Sequence, residues 1–554
     1  MPVRVEGDAV QIEHVVVLCL ENRSFDHMLG YLDHPEPRFE GLRGAGPYDN
    51  VGWDGAERVA ASERAKRVLP FGPDHSHDAV MEQLGITSDH KPWRPTNQGF
   101  VTSYERKARG LAPPKVEGFL GPLLGKLFGP KPIGSTVAGR GPLTMLCQRP
   151  EQVPVLGRLA LEFAVCDHWF CSVPGETWPN RNYLHAATSD GETDIELRVY
   201  SNPTIFELLE KNGKRWRVYH DDTPQLWAFQ NLWDTPDRHG NWFPAAKFVE
   251  HAARGDLAAY SFIEPNHRPP FHTLDHQPIL GGAKSGSTSQ HPENNLVSDA
   301  AYDEFDDTAD TDFARAERLI ATIYEALRAN PALFQKTMFV ITYDEHGGLY
   351  DHVPPPADVP APGGGRGLLG RILHAIWHRK TQSFDFTMLG PRVPTVIVSP
   401  HIPAGTLIAE THDHASVPAT LRAIFAPTAQ PLTKRDAWAA TFHHALSLDN
   451  PRTDLLDLSQ HVTTTAAAAA ANAAAAETGA PTTAAATTKV GAEVIPTYYQ
   501  DFLKQTEQVR KHLRAVGEPE IQNVTASSGG QSAAEVTAAF QEAAHRHRHT
   551  DTAG

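Results

Sequence analysis

Short runs rich in β-branched and apolar residues recur along the chain. They are His14-Val15-Val16-Val17-Leu18-Cys19-Leu20, Arg215-Trp216-Arg217-Val218-Tyr219-His220, Tyr260-Ser261-Phe262-Ile263, Met338-Phe339-Val340 continuing into Ile341-Thr342-Tyr343, and Arg392-Val393-Pro394-Thr395-Val396-Ile397-Val398-Ser399-Pro400. Runs of this length predict buried strands. Between them the period changes. Val153, Leu156, Leu159, Ala160 and Phe163 recur at helical spacing before Val165-Cys166-Asp167-His168-Trp169-Phe170, a helix running into a strand. Ala316, Leu319, Ile320, Ile323, Tyr324 and Leu327 share one face of a second helix, capped by Asp310-Thr311-Asp312 and stopped by Pro331. Helices alternating with buried strands predict an α/β sheet.

In such sheets ligands bind beyond the carboxyl ends of the strands, so the residues that follow each run carry the chemical interest. The first run delivers Glu21-Asn22-Arg23-Ser24-Phe25-Asp26-His27, and the run ending at Tyr343 delivers Asp344-Glu345-His346-Gly347-Gly348. Adjacent carboxylates are hard oxygen ligands suited to a divalent metal, and the glycines let backbone or substrate approach closely. An ordinary acidic turn would have the same composition. Pro174-Gly175-Glu176-Thr177-Trp178-Pro179-Asn180-Arg181 fixes a tight turn around one hydroxyl. Thr177 is there either as a helix cap or as an oxygen nucleophile activated by a nearby cation. Pro73-Asp74-His75-Ser76-His77-Asp78, Gln290-His291-Pro292 and Thr411-His412-Asp413-His414 add histidines in predicted loops. Of His267, His272, His276 and His291, in the polar stretch 264–311, most are expected to be solvated loop residues.

Composition narrows the partners. A chain of 554 residues, 40% of them apolar, can bury a large core, and its net charge of -16 argues against nucleic acid. Cys19, Cys147, Cys166 and Cys171 lack CxxC spacing and are expected to be buried free thiols. No stretch reaches the roughly 20 apolar residues of a membrane span. The opening residues read as neither a signal peptide nor an anchor, which predicts a cytoplasmic protein unless export follows a signal-peptide-independent route.

The motifs resemble those of the bacterial phosphoesterases that include phosphatidylcholine-hydrolysing phospholipases C and acid phosphatases. The matching stretches are Ile12 to Val17 with Glu21 to His27, Thr177-Trp178-Pro179-Asn180-Arg181, Thr342 to Gly348 with Tyr350-Asp351-His352-Val353-Pro354-Pro355-Pro356, and Gly390 to Pro394 with Asp413-His414-Ala415-Ser416. The resemblance spans about residues 12 to 445. It implies an alkaline-phosphatase-like three-layer sandwich, a mostly parallel central β-sheet flanked by helices. It further implies that Glu21, Asn22, Thr177, Asp344 and Glu345 hold one or more divalent ions (Zn, Ca, Mg or Mn), with Thr177 as the attacking hydroxyl. Asn22, His75, His291 and His414 would bind phosphate, and His77, His220, His346, Asp351, His352 and Asp413 are further candidates. The implied function is phospholipase C action through a phosphothreonine intermediate. A broad-specificity acid phosphatase is the alternative, and an inactive binding or delivery protein the remote one.

The expected organisation is a catalytic domain over 1–460, with insertions near 115–133 and 364–380, an Ala/Thr-rich linker over 461–492, and a C-terminal helix and polar tail over 493–554. Leu368, Leu369, Ile372, Leu373, Ile376 and Trp377 oppose Arg366, Arg371, His374, His378, Arg379 and Lys380. This basic amphipathic stretch, 366–380, either packs on the body or makes transient contact with a membrane. The C-terminal region is a candidate contact for a secretion machine.

Overall fold

The computed structural model describes residues 12–86, 92–111, 113–114, 137–195, 200–221, 224–232, 236–267, 287–363 and 384–462. The expected insertion near 115–133, the amphipathic stretch 366–380, His272, His276, and the linker, helix and tail beyond 462 lie outside the described residues.

Eight strands form one sheet: β1 (His14–Leu20), β2 (Ala164–Cys166), β3 (Trp216–His220), β4 (Trp242–Pro244), β5 (Tyr260–Ile263), β6 (Thr337–Tyr343), β7 (Thr395–Val398) and β8 (Thr406–Ile408). Their spatial order is β8-β2-β7-β6-β1-β5-β3-β4. The sequence-predicted strands are all present. Every pairing is parallel except those of β7, which runs against both β6 and β2. The sheet is therefore mostly parallel with one reversed strand, and that reversal carries Arg392, just before β7, to the edge where β1 and β6 end.

The central pair sets the register of the site. His14↔Thr337 through Leu20↔Tyr343 are aligned along β1 and β6, so Glu21 and Asp344 leave the sheet side by side. All seven residues of β6 are buried, as are Val15 to Leu20 of β1. Apolar runs without alternation are what a sheet covered on both faces requires. Truncating Ile341 to alanine would cost about 2–5 kcal/mol through the cavity left behind.

Helices cover both faces. One group is α1 (Leu156–Glu162), α3 (Lys247–Ala253) and α4 (Asp312–Arg328). Helix α4 buries the six apolar residues that the periodicity placed on one face, and Thr311 caps it by accepting from the Ala314 N–H. Its Glu317 carboxylate in turn accepts from the N–H groups of Val155 (2.7 Å) and Leu156 (3.2 Å), tying α1 to α4. The other group is α2 (Thr177–Ala186) with the helices Ile205–Lys211 and Ser416–Phe425, which pack on one another. The result is the expected three-layer α/β sandwich. Its four cysteines are free and buried.

Candidate active site

Asn22 is the hub. It sits one residue beyond Glu21 with φ +56°, a left-handed conformation that asparagine tolerates better than most residues. In that pose its N–H donates to Asp344 Oδ1 (2.9 Å), its amide Nδ2 donates to Glu345 Oε1, and its Oδ1 accepts from the Thr177 hydroxyl (3.4 Å). The Asp344 N–H bonds Leu20 O (3.1 Å), continuing the β1–β6 ladder past the strand ends. Gly347, at φ +69°, closes the loop. A Cβ there would stand 2.1 Å from Asn22 O, so only glycine permits this approach.

Thr177 is the first residue of α2, where unpaired backbone N–H groups and the helix dipole favour negative charge. The turn before it is held by Asn180, whose Oδ1 accepts from the Val173 N–H (3.0 Å) and whose Nδ2 donates to the carbonyls of Val173, Gly175 and Glu176. Gly175 is required because a Cβ would lie 2.0 Å from Thr193 O. One turn further on, Arg181 is wholly buried. It donates from Nε to Asp344 Oδ2 (2.9 Å), from a terminal nitrogen to Glu264, and from the other to Cys19 O (3.1 Å).

Glu21 flanks this hub instead of touching it. Its side chain faces His267, 3.6 Å away, and Ser289. Burial pushes the Glu21 carboxyl up to about 7, with His267 opposing and the Asp344 charge adding. Burial likewise pushes Glu345 up to about 8, against the opposing pull of His75. Among the described residues no three His, Cys, Asp or Glu side chains meet at metal-ligating spacing, so a cation would also need the oxygens of Asn22 and Thr177. That donor set fits a hard divalent ion: it is all oxygen, and burial disfavours the charged forms of Glu21 and Glu345, which a cation would restore.

His75 and His291 stand together with ring centroids 5.7 Å apart. The loop bearing His291 is fixed by Asp312, which accepts from the Ser289 N–H (2.9 Å) and Asn295 Nδ2 (3.1 Å). His291 Nδ1 accepts from the Glu293 N–H (3.0 Å), leaving Nε2 as its donor. Burial, then the neighbouring His75, holds the His291 ring well below the ordinary histidine range, so it is a neutral donor. His414 reaches the site differently. Its Nε2 bonds Asp344 O (2.6 Å) and its Nδ1 accepts from Trp169 Nε1 (3.3 Å), so both nitrogens are engaged and the ring acts by holding the Asp344 backbone.

The remaining candidates sit in surrounding networks. His346 Nε2 lies 2.7 Å from Gln83 Oε1, and burial holds the ring down to about 3. His77 bonds the Pro174 carbonyl, buttressing the Thr177 turn, and its own N–H donates to Asp194 (2.7 Å). His220 ends β3 against Trp227 and Trp242, two strands from β1. Asp351 and His352 belong to a separate buried network in which Arg392 bonds Asp351 (2.9 Å) and Asp26 (2.9 Å), and Asp26 holds His352 Nδ1 (2.7 Å). Asp413 is fixed by Arg435 (2.8 Å) and Ser172 (2.9 Å), and Ser172 holds the His414 N–H.

Sequence reasoning missed Arg181, Glu264 and His267. Arg181 lay inside a quoted motif, and its charge was the only signal. His267, grouped with solvated loop histidines, is in fact buried against Glu21.

A model of the Phosphoesterase family matches residues 12–426. Non-specific phospholipase C3 of Arabidopsis thaliana is 32% identical over 468 residues, covering 81% of this chain and 76% of that protein. Phospholipase C B of Mycobacterium tuberculosis is 27% identical over 492 residues, covering 81% and 82%. Among solved structures, a protein in the alkaline phosphatase superfamily from Vibrio parahaemolyticus aligns with a TM-score of 0.29 and 11% identity over 53% of this chain and 65% of that one. That likeness is too loose to add to the topology.

Proposed function

The chain belongs to the Phosphoesterase family and is a phosphoric ester hydrolase, and from this we propose that it acts as a phospholipase C on phosphatidylcholine-type phospholipids. The observation that carries the reading is the contact of Asn22 with Thr177, Asp344 and Glu345 at the mouth of α2. The names of the relatives in both a plant and a bacterium support the lipid substrate.

In the proposed reaction the Thr177 oxygen attacks phosphorus in line and the bond from phosphorus to the glycerol oxygen breaks. Diacylglycerol leaves with a proton, and a phosphothreonine intermediate, still esterified to the head group, remains. Water then attacks phosphorus and releases the phosphorylated head group. A divalent ion held by Asn22, Thr177, Asp344 and Glu345, with Glu21 completing the set by turning from His267, would neutralise these carboxylates and favour the ionised hydroxyl. The protein's own contributions are positional and electrostatic. Asn22 and the first turn of α2 aim Thr177. His75 and the neutral His291 offer donors to the equatorial oxygens, where phosphoryl transfer accumulates charge. Arg181 fixes Asp344.

The test offers phosphatidylcholine vesicles and a soluble aryl phosphate side by side to the wild type and to Thr177→Val. Release of diacylglycerol by the wild type alone is the expected result. Turnover of the aryl phosphate without the lipid would make the protein an acid phosphatase, and wild-type turnover by Thr177→Val would remove the nucleophile assignment.

A further inference from the structure

Gln290, the residue before His291, holds its backbone at φ +69° although it is neither glycine nor asparagine, and it is wholly buried. A long side chain in the left-handed region is strained, and such strain persists only where the surroundings impose it. Here four side-chain or backbone partners do so. Arg23 Nε donates to the Gln290 carbonyl (2.8 Å), and the Tyr343 hydroxyl donates to Gln290 Oε1. The Gln290 Nε2 donates to Phe313 O (3.2 Å) and Glu317 Oε1 (3.4 Å), both on α4. One residue earlier, Ser289 O accepts from the Glu21 N–H (2.9 Å).

The residues that grip Ser289 and Gln290 from the strand ends are the chain neighbours of the hub. Glu21 and Arg23 flank Asn22, and Tyr343 precedes Asp344. The two strand ends that deliver the carboxylates therefore also fix the peptide that presents His291. From this arrangement we infer that Gln290 is a positioning residue: clamped in its left-handed pose by Arg23 and Tyr343, it sets where the His291 ring stands relative to Thr177 and Asp344. The inference rests on the reading of His291 as a donor to the phosphate. Released from the clamp, Gln290 would relax toward negative φ, and a rotation at that residue swings the ring that follows it. Displacement of a donor by about 1 Å is enough to slow a reaction that depends on its aim. Tyr343 and Arg23 thus couple the carboxylate wall of the site to its phosphate-binding wall through a single buried amide.

The experiment is a double-mutant cycle on the full chain, read as kcat on monomeric short-chain phosphatidylcholine and on a soluble aryl phosphate. Tyr343→Phe removes one hydroxyl from the clamp and little volume. Gln290→Gly removes the whole side chain at a φ that glycine accepts, so the backbone still fits. His291→Gln alone should lower kcat on the order of 10²-fold. Each clamp variant should lower it roughly tenfold when His291 is present. Once His291 is replaced, the same clamp variants should cost less than about twofold, because a residue that acts through His291 has nothing left to aim. A merely structural role would give losses that multiply, so undiminished losses in the His291→Gln background overturn the inference, as does wild-type kcat in both clamp variants. Wild-type kcat in His291→Gln overturns the phosphate role of His291 and the inference with it. Turnover of the aryl phosphate alone overturns only the phospholipase reading, since the cycle is then read on that ester.

Discussion

Replacing Arg181 by methionine isolates the electrostatic support of the site. Arg181 and both of its acidic partners are fully buried, and its guanidinium spans Asp344, Glu264 and the Cys19 carbonyl. Methionine fills much of the volume but removes the charge. Asp344 keeps two backbone donors, from Asn22 (2.9 Å) and Glu345 (2.7 Å), whereas the other oxygen of Glu264 has no hydrogen-bond partner among the described residues, so that carboxylate depends on Arg181. Stranding one member of a buried ion pair costs about 3–5 kcal/mol, and most of it here falls on Glu264. Adding Glu264→Gln removes the stranded charge. The double variant should therefore recover on the order of half of the loss, a coupling of about 1–3 kcal/mol. Urea unfolding followed by tryptophan fluorescence, with the slope compared across variants, measures both quantities. A loss below about 1 kcal/mol in the single variant, or a double variant no more stable than the single, would refute the reasoning.

Three further outcomes are expected. Gly347→Ala places a Cβ against the Asn22 backbone at a positive φ, costing about 1–2 kcal/mol in conformation alone. By displacing Asn22 it should lower kcat roughly 10²-fold, with little change in KM. His352 is largely shielded from water, which lowers its affinity for a proton, but Asp26 outweighs this and holds the ring above its ordinary value. Its contribution to stability is therefore complete below about pH 6.5 and is lost as pH rises through the folded value. Asp26, held low by His352 and Arg392 despite burial, contributes above about pH 4 and is lost on acidification. His352→Gln should flatten the decline of thermal stability on the alkaline side of that window. Finally, dialysis against a chelator should abolish hydrolysis and lower the unfolding temperature, and adding back the correct divalent ion should restore both.

The sheet was legible because its central strands are buried on both faces, which leaves β1 and β6 as unbroken apolar runs in the sequence. Helix α4 was legible for the complementary reason, since its six apolar residues fall on one face between a threonine cap and a proline. The reversal of β7 was not, because strand direction depends on the path taken between 344 and 394, and no local pattern encodes it. Asn22, Thr177, Asp344 and Glu345 stood out as oxygen ligands at strand ends and in a constrained turn. Their supports did not. Arg181 acts across 163 residues on Asp344 and 83 on Glu264, contacts that only the assembled sheet brings about. Asp351 and His352 follow the motif closely in sequence, yet the chain turns them toward Arg392 and Asp26, where they brace the loop behind the site.

The central claim is that Thr177 carries the phosphoryl group during turnover. Rapid acid quenching of the wild-type enzyme with short-chain phosphatidylcholine, followed by mass spectrometry of the peptide containing Thr177, tests it directly. The account predicts a phosphorylated head group on Thr177 in the wild type and none in Thr177→Val. An unmodified Thr177 under conditions where turnover is demonstrably limited by hydrolysis of an intermediate, or the adduct on another residue, would contradict it.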